Sequence, residues 1–208
     1  MKPQLLPIFP EPIVMYTDIG IEQDRLQRLY DRQEWRSTNS EDNPEYFLKI
    51  SRNLKVLNDD RQLRDRFVEI LNDYAETVML YENKFHMTTS WFTNTEKNKI
   101  SVLHNHGNSM FSAVYYFGSG DGEKAKITFE RPSVSHLDLK PKAYNVLNGP
   151  SHVLEMANDT ILIFPSYLKH KVNSHENDNV RKSLAMNFMP SGILGVGTNE
   201  IYLSASDA

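Results

Sequence analysis

The sequence predicts an α+β protein, mainly β, in which helices at the N-terminal end flank a strand-rich sandwich or barrel. Three observations carry this expectation. Residues 1–84 hold two segments whose apolar side chains recur at helical spacing. From residue 85 onward the apolar runs become short and rich in aromatic and β-branched residues, which fit a pleated, half-buried surface. Turn signals such as Gly118-Ser119-Gly120-Asp121-Gly122 and Asn148-Gly149-Pro150 separate those runs.

Along the chain, Phe9 to Tyr16 reads as a short extended piece, and Ile21 to Trp35 places Leu26, Leu29 and Tyr30 on one face of an amphipathic helix. Asn39 to Asn58, polar and acidic with Pro44 inside it, reads as a long loop that touches the core through Leu54, Val56 and Leu57. Asp60 to Glu82 carries Leu63, Phe67, Ile70, Leu71, Tyr74, Val78 and Leu80 near a 3.6-residue period, with Asp59 or Asp60 as N-cap. Candidate strands follow at Phe85–Phe92, Ile100–His106, Phe111–Phe117, Lys126–Phe129, His152–Met156, Thr160–Phe164, His170–Asn173 and Ser183–Phe188. About eight short strands at this spacing suit a sandwich or barrel with the helices on an outer face. A chain of 208 residues falls within the usual single-domain range, so 1–208 is expected to be one domain, with 1–84 a helical flank and 85–208 the strand core.

Composition narrows the function. A net charge of -4 gives no global basic field, and Arg25, Arg28, Arg32 and Arg36 sit among acidic neighbours, so a nucleic-acid partner is not indicated. No apolar run has the length of a membrane span and the first residues lack a signal-peptide core, which points to the cytoplasm, or the host cytoplasm for a virus-encoded chain. The absence of cysteine excludes a disulfide framework, an iron–sulfur cluster and a thiol nucleophile.

Two separate segments read as halves of one metal site. In a strand, residues i and i+2 share a face, so His104 and His106 can aim both imidazoles at one ion, and His170 can complete one face of its coordination sphere. Arg181 and Ser183 follow on the next expected strand, where a guanidinium and a hydroxyl can clamp a carboxylate. Each piece alone is ordinary: His-x-His occurs by chance, Arg181 alone is a surface cation, and tyrosines and Trp91 are by default core. His86, His136, His152 and His175 have no partner at ligand spacing and read as structural or solvated. The ordered set is what points to an enzyme.

That set, His-x-His, a Tyr-Tyr strand, Phe-Pro-Ser-Tyr-Leu-x-His-x-Val and Arg-x-Ser-x-x-x-Asn-Phe, resembles the iron(II)- and 2-oxoglutarate-dependent oxygenase superfamily. Its nearest branch is the 2OG-Fe(II) oxygenases of bacteria and tailed phages, many known only from sequence. The Phe-Pro-x-Pro opening at Phe9 to Pro12 and the Ser-Trp-x-x-Asn stretch of Ser90, Trp91 and Asn94 are similar too. The resemblance spans nearly the whole chain, most weakly between Thr17 and Lys84. It implies a double-stranded β-helix, an eight-stranded jelly-roll core of cupin type, with Fe(II) as metal, 2-oxoglutarate as co-substrate and O2 as oxidant.

For individual residues the resemblance implies His104, His106 and His170 as metal ligands and Arg181 with Ser183 as the grip on the co-substrate carboxylate. Tyr115 or Tyr116, depending on register, adds a phenol to that carboxylate, and Asn94 reaches the chelating end. The usual superfamily site has a carboxylate where this chain has His106. Neutral imidazole there leaves the site one charge more positive, which raises the metal's redox potential and weakens its hold on a divalent cation. Asn105 or Asn108 facing the metal, or a water, are the alternatives at that place. The implied activity is that of a dioxygenase, a hydroxylase of an unactivated C–H bond, with a small-molecule co-substrate and a primary substrate the sequence does not name. A cupin-like binding or structural module without redox turnover is the alternative, and the Arg-x-Ser clamp disfavours a zinc or nickel hydrolase. Homo-oligomerisation stays open. The substrate-shaping loops are expected at Gly118–Glu123 and Arg131–Leu147.

Overall fold

A computed structural model describes residues 4, 6, 9–38, 46, 48–118, 124–132, 137 and 139–205. The turn at 119–123, His136, and residues 39–45 and 47 of the expected loop, Pro44 among them, lie outside these residues, and the rest of that loop holds a strand and a 3-10 turn. The first helix, α1 (Gln23–Asp31), buries Leu26 and Leu29 and is shorter than its periodicity suggests. Gln33 donates from its side chain to the Leu29 carbonyl at 2.9 Å, and the chain turns so that Trp35 packs on Tyr30 with ring centroids 5.0 Å apart. Trp35 therefore opens a strand, β2 (Trp35–Ser37), instead of ending a helix.

The second helix, α2 (Arg61–Thr77), starts where the Asp60 carboxylate accepts from the Leu63 N–H at 3.1 Å, the capping expected of aspartate before an apolar repeat. Leu63, Phe67, Ile70, Leu71, Tyr74 and Ala75 are buried along one stripe. Each large side chain among them contributes on the order of 1.5–3 kcal/mol on burial. The stripe ends earlier than the sequence suggests: Leu80 takes a φ of 56°, the Tyr81 N–H closes back on the Ala75 carbonyl at 2.9 Å, and Val78 and Leu80 face solvent.

The remaining strands are β1 (Val14–Thr17), β3 (Leu48–Ser51), β4 (Lys84–Thr95), β5 (Phe111–Gly118), β6 (Ala125–Glu130), β7 (Ser151–Met156), β8 (Thr160–Pro165), β9 (His170–Val172), β10 (Arg181–Leu194) and β11 (Ile201–Leu203). Their paired neighbours are all antiparallel. The larger sheet runs β1-β8-β5-β10-β4-β3-β2 with β11 added to β10, and the smaller runs β7-β6-β9. The expected strand at Ile100–His106 does not form. Only an isolated bridge joins His104 to His170 there, because Gly107 and Asn108, the latter at a φ of 60°, turn the chain before a ladder can extend.

Helices and small sheet cover opposite faces of the large sheet. Phe111, Tyr115, Ile161, Ile163, Leu184 and Phe188 pack toward the helices, and Val114, Tyr116, Leu162 and Phe164 pack with Ala125, Ile127, Phe129 and Met156 of the smaller sheet. Residues 111–116 of β5 and all of β8 are buried, so neither strand shows an alternation of buried and exposed positions. Because adjacent residues point to opposite faces, this two-sided burial decides which side chains can meet the histidines.

Candidate metal centre and its cleft

His104 and His106 lie on the segment between β4 and β5, and His170 opens β9. Backbone bonds His104 N–H to His170 carbonyl (3.0 Å), His170 N–H to His104 carbonyl (2.8 Å) and His106 N–H to Ser166 carbonyl (3.0 Å) fix the two segments against each other. One ligand atom from each ring lies within 4.8 Å of the others, so a single ion can reach all three. His170 is wedged between Phe164 and Phe129, ring centroids 4.8 and 5.6 Å away, while Trp91 stands 5.6 Å from His106.

The orientation of the rings is set from behind. His104 Nδ1 donates to the Val102 carbonyl at 2.8 Å and His170 Nδ1 to the Leu168 carbonyl at 2.9 Å. His106 Nδ1 donates to Asn187 Oδ1 at 2.6 Å. Carbonyl and amide oxygens only accept, so each Nδ1 carries the proton and each Nε2 lone pair is left to face the common point. Asn187 is itself held: its Nδ2 donates to Thr89 Oγ1 at 3.0 Å and its Oδ1 accepts from Ser112 Oγ at 2.9 Å. Sequence reasoning assigned Asn187 no role, although it shares strand parity with Arg181 and Ser183. Asn187→Leu, which keeps the volume but removes the acceptor, is expected to weaken divalent-metal binding about 10- to 100-fold in a calorimetric titration. Parent affinity in that variant removes Asn187 from the centre.

Burial drives the His170 pKa from its ordinary 6.5 to about 3, with the neighbouring His104 acting in the same direction. His106 is lowered as well, by burial first, although its bond to Asn187 opposes the shift. In the folded metal-free protein these rings stay neutral, whereas the unfolded chain takes up protons as pH falls through 6.5. Stability is therefore complete above that pH and declines below it, by about 1.4 kcal/mol per pH unit for His170, until the folded ring also protonates near pH 3. Thermal melts of metal-free protein should fall steadily from pH 7 to pH 5, and this slope should flatten in His170→Asn.

Sheet register arranges the cleft floor in rows. Ser112, Asn187 and Thr89 pair across β5, β10 and β4 and form the row beneath His106. Val114, Ala185 and Trp91 form the next, and Tyr116, Ser183 and Thr93 the one after. Ile50 of β3 and Arg36 of β2 extend that third row. Members of all three rows line one cavity of about 550 Å³ together with His104, His106 and His170. Arg181, paired with Thr95, is buried one row beyond Ser183 and donates from Nη2 to the Asn173 carbonyl at 2.9 Å. The Tyr116 hydroxyl is wholly buried with no hydrogen-bond partner among the described residues, and burial pushes its pKa up to about 12 while Arg181 draws it down.

Residues 89–187, which contain all three histidines, Arg181 and Asn187, match the family model described as "Putative 2OG-Fe(II) oxygenase". Nearly half of the chain is thus similar to the 2OG-Fe(II) oxygenase family. The fold agrees: a structure of an oxidoreductase of the 2OG-Fe(II) oxygenase family from Burkholderia pseudomallei is similar with a TM-score of 0.61 at 14% identity, over 85% of this chain and 84% of that one. The α-ketoglutarate-dependent epimerase SnoN from nogalamycin biosynthesis is similar with a TM-score of 0.61 at 11% identity, over 95% and 92%. A prolyl-4-hydroxylase from Pseudomonas putida gives a TM-score of 0.55 at 13% identity, over 86% and 92%. No curated protein sequence matches the chain.

Two residues that the oxygenase resemblance suggested do not face the cleft. Tyr115 points to the helices, where its hydroxyl donates to Asp159 at 2.5 Å and accepts from Gln23 at 2.6 Å. Tyr116, its neighbour, holds the cleft position. Asn94 lies on the face opposite Thr93 and accepts from the Tyr30 hydroxyl at 2.7 Å. Asn105 and Asn108 are exposed and do not line the cavity, and among the described residues no carboxylate joins the three histidines. His175 is buried with Nε2 2.9 Å from the Thr95 carbonyl, a structural position. Among the described residues neither expected loop lines the cleft; β2 and β3 do so instead. The donor set fits the family's ion, since preorganised neutral imidazoles suit iron as they suit nickel and zinc. The unpartnered Tyr116 hydroxyl beside Arg181 fits a carboxylate.

Proposed function

We propose that the protein is a non-haem iron(II), 2-oxoglutarate-dependent dioxygenase that hydroxylates an unactivated C–H bond, built as one domain on a double-stranded β-helix formed by the two sheets. The observation that carries this reading is the pairing of three Nε2 atoms, each released by a bonded Nδ1, with Tyr116 and Ser183 in the same cleft and the buried Arg181 one row behind them, close enough to act on the Tyr116 hydroxyl. Iron(II) bound there supplies the redox chemistry by which 2-oxoglutarate, O2 and R–H become succinate, CO2 and R–OH.

The chain's own residues position and exclude. His104, His106 and His170 would hold the metal. Arg181, Ser183 and the Tyr116 hydroxyl receive the distal carboxylate, and because that end is buried, each charge-assisted bond there is worth about 1.5–3 kcal/mol. Val114, Ala185 and Phe164 keep water from the floor between.

Adding 2-oxoglutarate to the iron(II)-loaded protein without air should produce visible charge-transfer absorption, and air with ascorbate should then yield succinate slowly. The second reading, a metal-binding module without turnover, draws on the missing carboxylate: three neutral ligands leave the ion's full charge in place. Metal bound at the site with neither absorption nor succinate would establish that module instead.

A further inference from the structure

The rim of the cleft carries a chemistry that the metal and the co-substrate grip leave unused. β2 and β3 extend the large sheet past β4, and the outer cleft is lined on this side by Leu48 and Ile50 of β3 and by Leu54 just after it, and also by Ile100 and Val102, which belong to the segment bonded to β9 of the smaller sheet. Leu54 and Val102, which both line the cleft, are exposed apolar side chains, 40% and 51% accessible. Trp91 lies half-buried on the floor between them and the histidines. Apolar surface left open inside a cavity next to a reactive centre is where a ligand buries apolar surface of its own.

Charge then sets the polarity of that ligand. No aspartate or glutamate lines the cleft among the described residues, while Arg36 does, from the outer end of the row Tyr116–Ser183–Thr93–Ile50–Arg36. At about 4.8 Å between neighbouring strands, three spacings separate Ser183 from Arg36, so the Arg36 guanidinium belongs to a different part of the cleft from the co-substrate grip. A cationic substrate finds no counter-charge along this path; an anion does.

We infer that the primary substrate is an amphipathic molecule whose flat or aliphatic body lies on Trp91 between the two apolar walls and whose single anionic group is paired with Arg36. This rests on the oxygenase reading for the word substrate, but the ligand chemistry of the cleft is measurable without turnover. A guanidinium fork suits a carboxylate, sulfonate or phosphate equally, and the apolar walls select what is attached to it. Such a ligand would carry its reacting C–H bond toward the histidines and leave its charge at the rim.

The test uses 8-anilinonaphthalene-1-sulfonate and its uncharged relative N-phenyl-1-naphthylamine, titrated into the 15N-labelled full chain. The chain has two tryptophans, and the variant Trp35→Phe assigns the Trp91 indole N–H resonance. Both probes are expected to shift that resonance saturably, with the sulfonate binding at least about tenfold more tightly, and Arg36→Gln should bring the sulfonate down to the neutral probe's affinity without changing the latter. A Trp91 resonance that neither probe shifts, or a sulfonate affinity unaffected by Arg36→Gln and by the charge-reversing Arg36→Glu, overturns the inference. Succinate formation by the parent protein is read in a separate assay without probe. Loss of that activity alone overturns the oxygenase reading, and probe binding at Trp91 and Arg36 would still stand as the cleft's ligand preference.

Discussion

His170→Ala is expected to abolish stoichiometric binding of a divalent metal, with an affinity loss well beyond the 10- to 100-fold that follows removal of a supporting hydrogen bond. His170 offers the most constrained ligand of the three: it is 4% exposed, enclosed by Phe129 and Phe164, and its Nδ1 is tied to the Leu168 carbonyl. Removing it leaves two imidazoles on one segment, which cannot enclose an ion from both sides. The same substitution also opens a void beside two aromatic rings, so a stability loss of about 2–4 kcal/mol accompanies it. Calorimetric titration with Co(II) or anaerobic Fe(II), run beside circular dichroism on both proteins, separates the two effects. A folded His170→Ala protein that still binds one metal ion with parent affinity would sink the three-histidine centre. His106→Asp gives the complementary arm: an anion in place of the imidazole adds Coulombic attraction in a site of reduced dielectric and should tighten Fe(II) binding.

The second large effect is expected one row behind the cleft's Tyr116–Ser183 end, at Arg181. Arg181→Lys should weaken 2-oxoglutarate binding by about tenfold or more while metal binding persists, because a single ammonium replaces a planar fork that meets a carboxylate with two parallel bonds. Lysine is the informative replacement. Arg181 is buried and its Nη2 also holds the Asn173 carbonyl, so alanine would loosen the turn into β10 as well as remove the charge. Tyr116→Phe removes only a buried hydroxyl that has no hydrogen-bond partner among the described residues, so it should leave stability unchanged or slightly raised while costing roughly tenfold in co-substrate affinity. Anaerobic titration of 2-oxoglutarate into the metal-loaded proteins measures both. Unchanged affinity in both variants would move the co-substrate elsewhere in the cleft, and a loss in Tyr115→Phe instead would restore the register that the fold rejects.

Much of this protein is written locally. The 3.6-residue repeat of α2 and the aspartate before it specify a helix and its start, because backbone propensity, capping and an apolar stripe all favour the same conformation. Seven of the eight strands expected from Phe85 onward form, all but Ile100–His106, because β-branched and aromatic runs between turn residues favour extended backbone. The chemistry is legible too: His104, His106 and His170 come together as their spacing suggests, since i, i+2 residues share a side in any extended segment, even one that never becomes a strand.

What the sequence could not decide is which face of each strand looks at the metal, and what builds the cleft's outer wall. In β5 every residue from Phe111 to Tyr116 is buried, so no alternation marks Tyr116 as inward and Tyr115 as outward. That choice is made by pairing with β10, which sets Tyr116 beside Ser183 on the side facing the small sheet. The same pairing logic turns Thr93 inward and Asn94 outward in β4 and brings Asn187 beneath His106, a residue whose strand parity was visible but whose partner came from a distant turn. β2 and β3 are only three and four residues long, carry little strand signal, and form because β4 offers β3 an edge to hydrogen-bond and β3 in turn offers one to β2. Periodicity records how a segment meets solvent. When both faces are covered, or when a strand forms only because a neighbour is there, that record is blank and the tertiary pairing alone assigns the side chains.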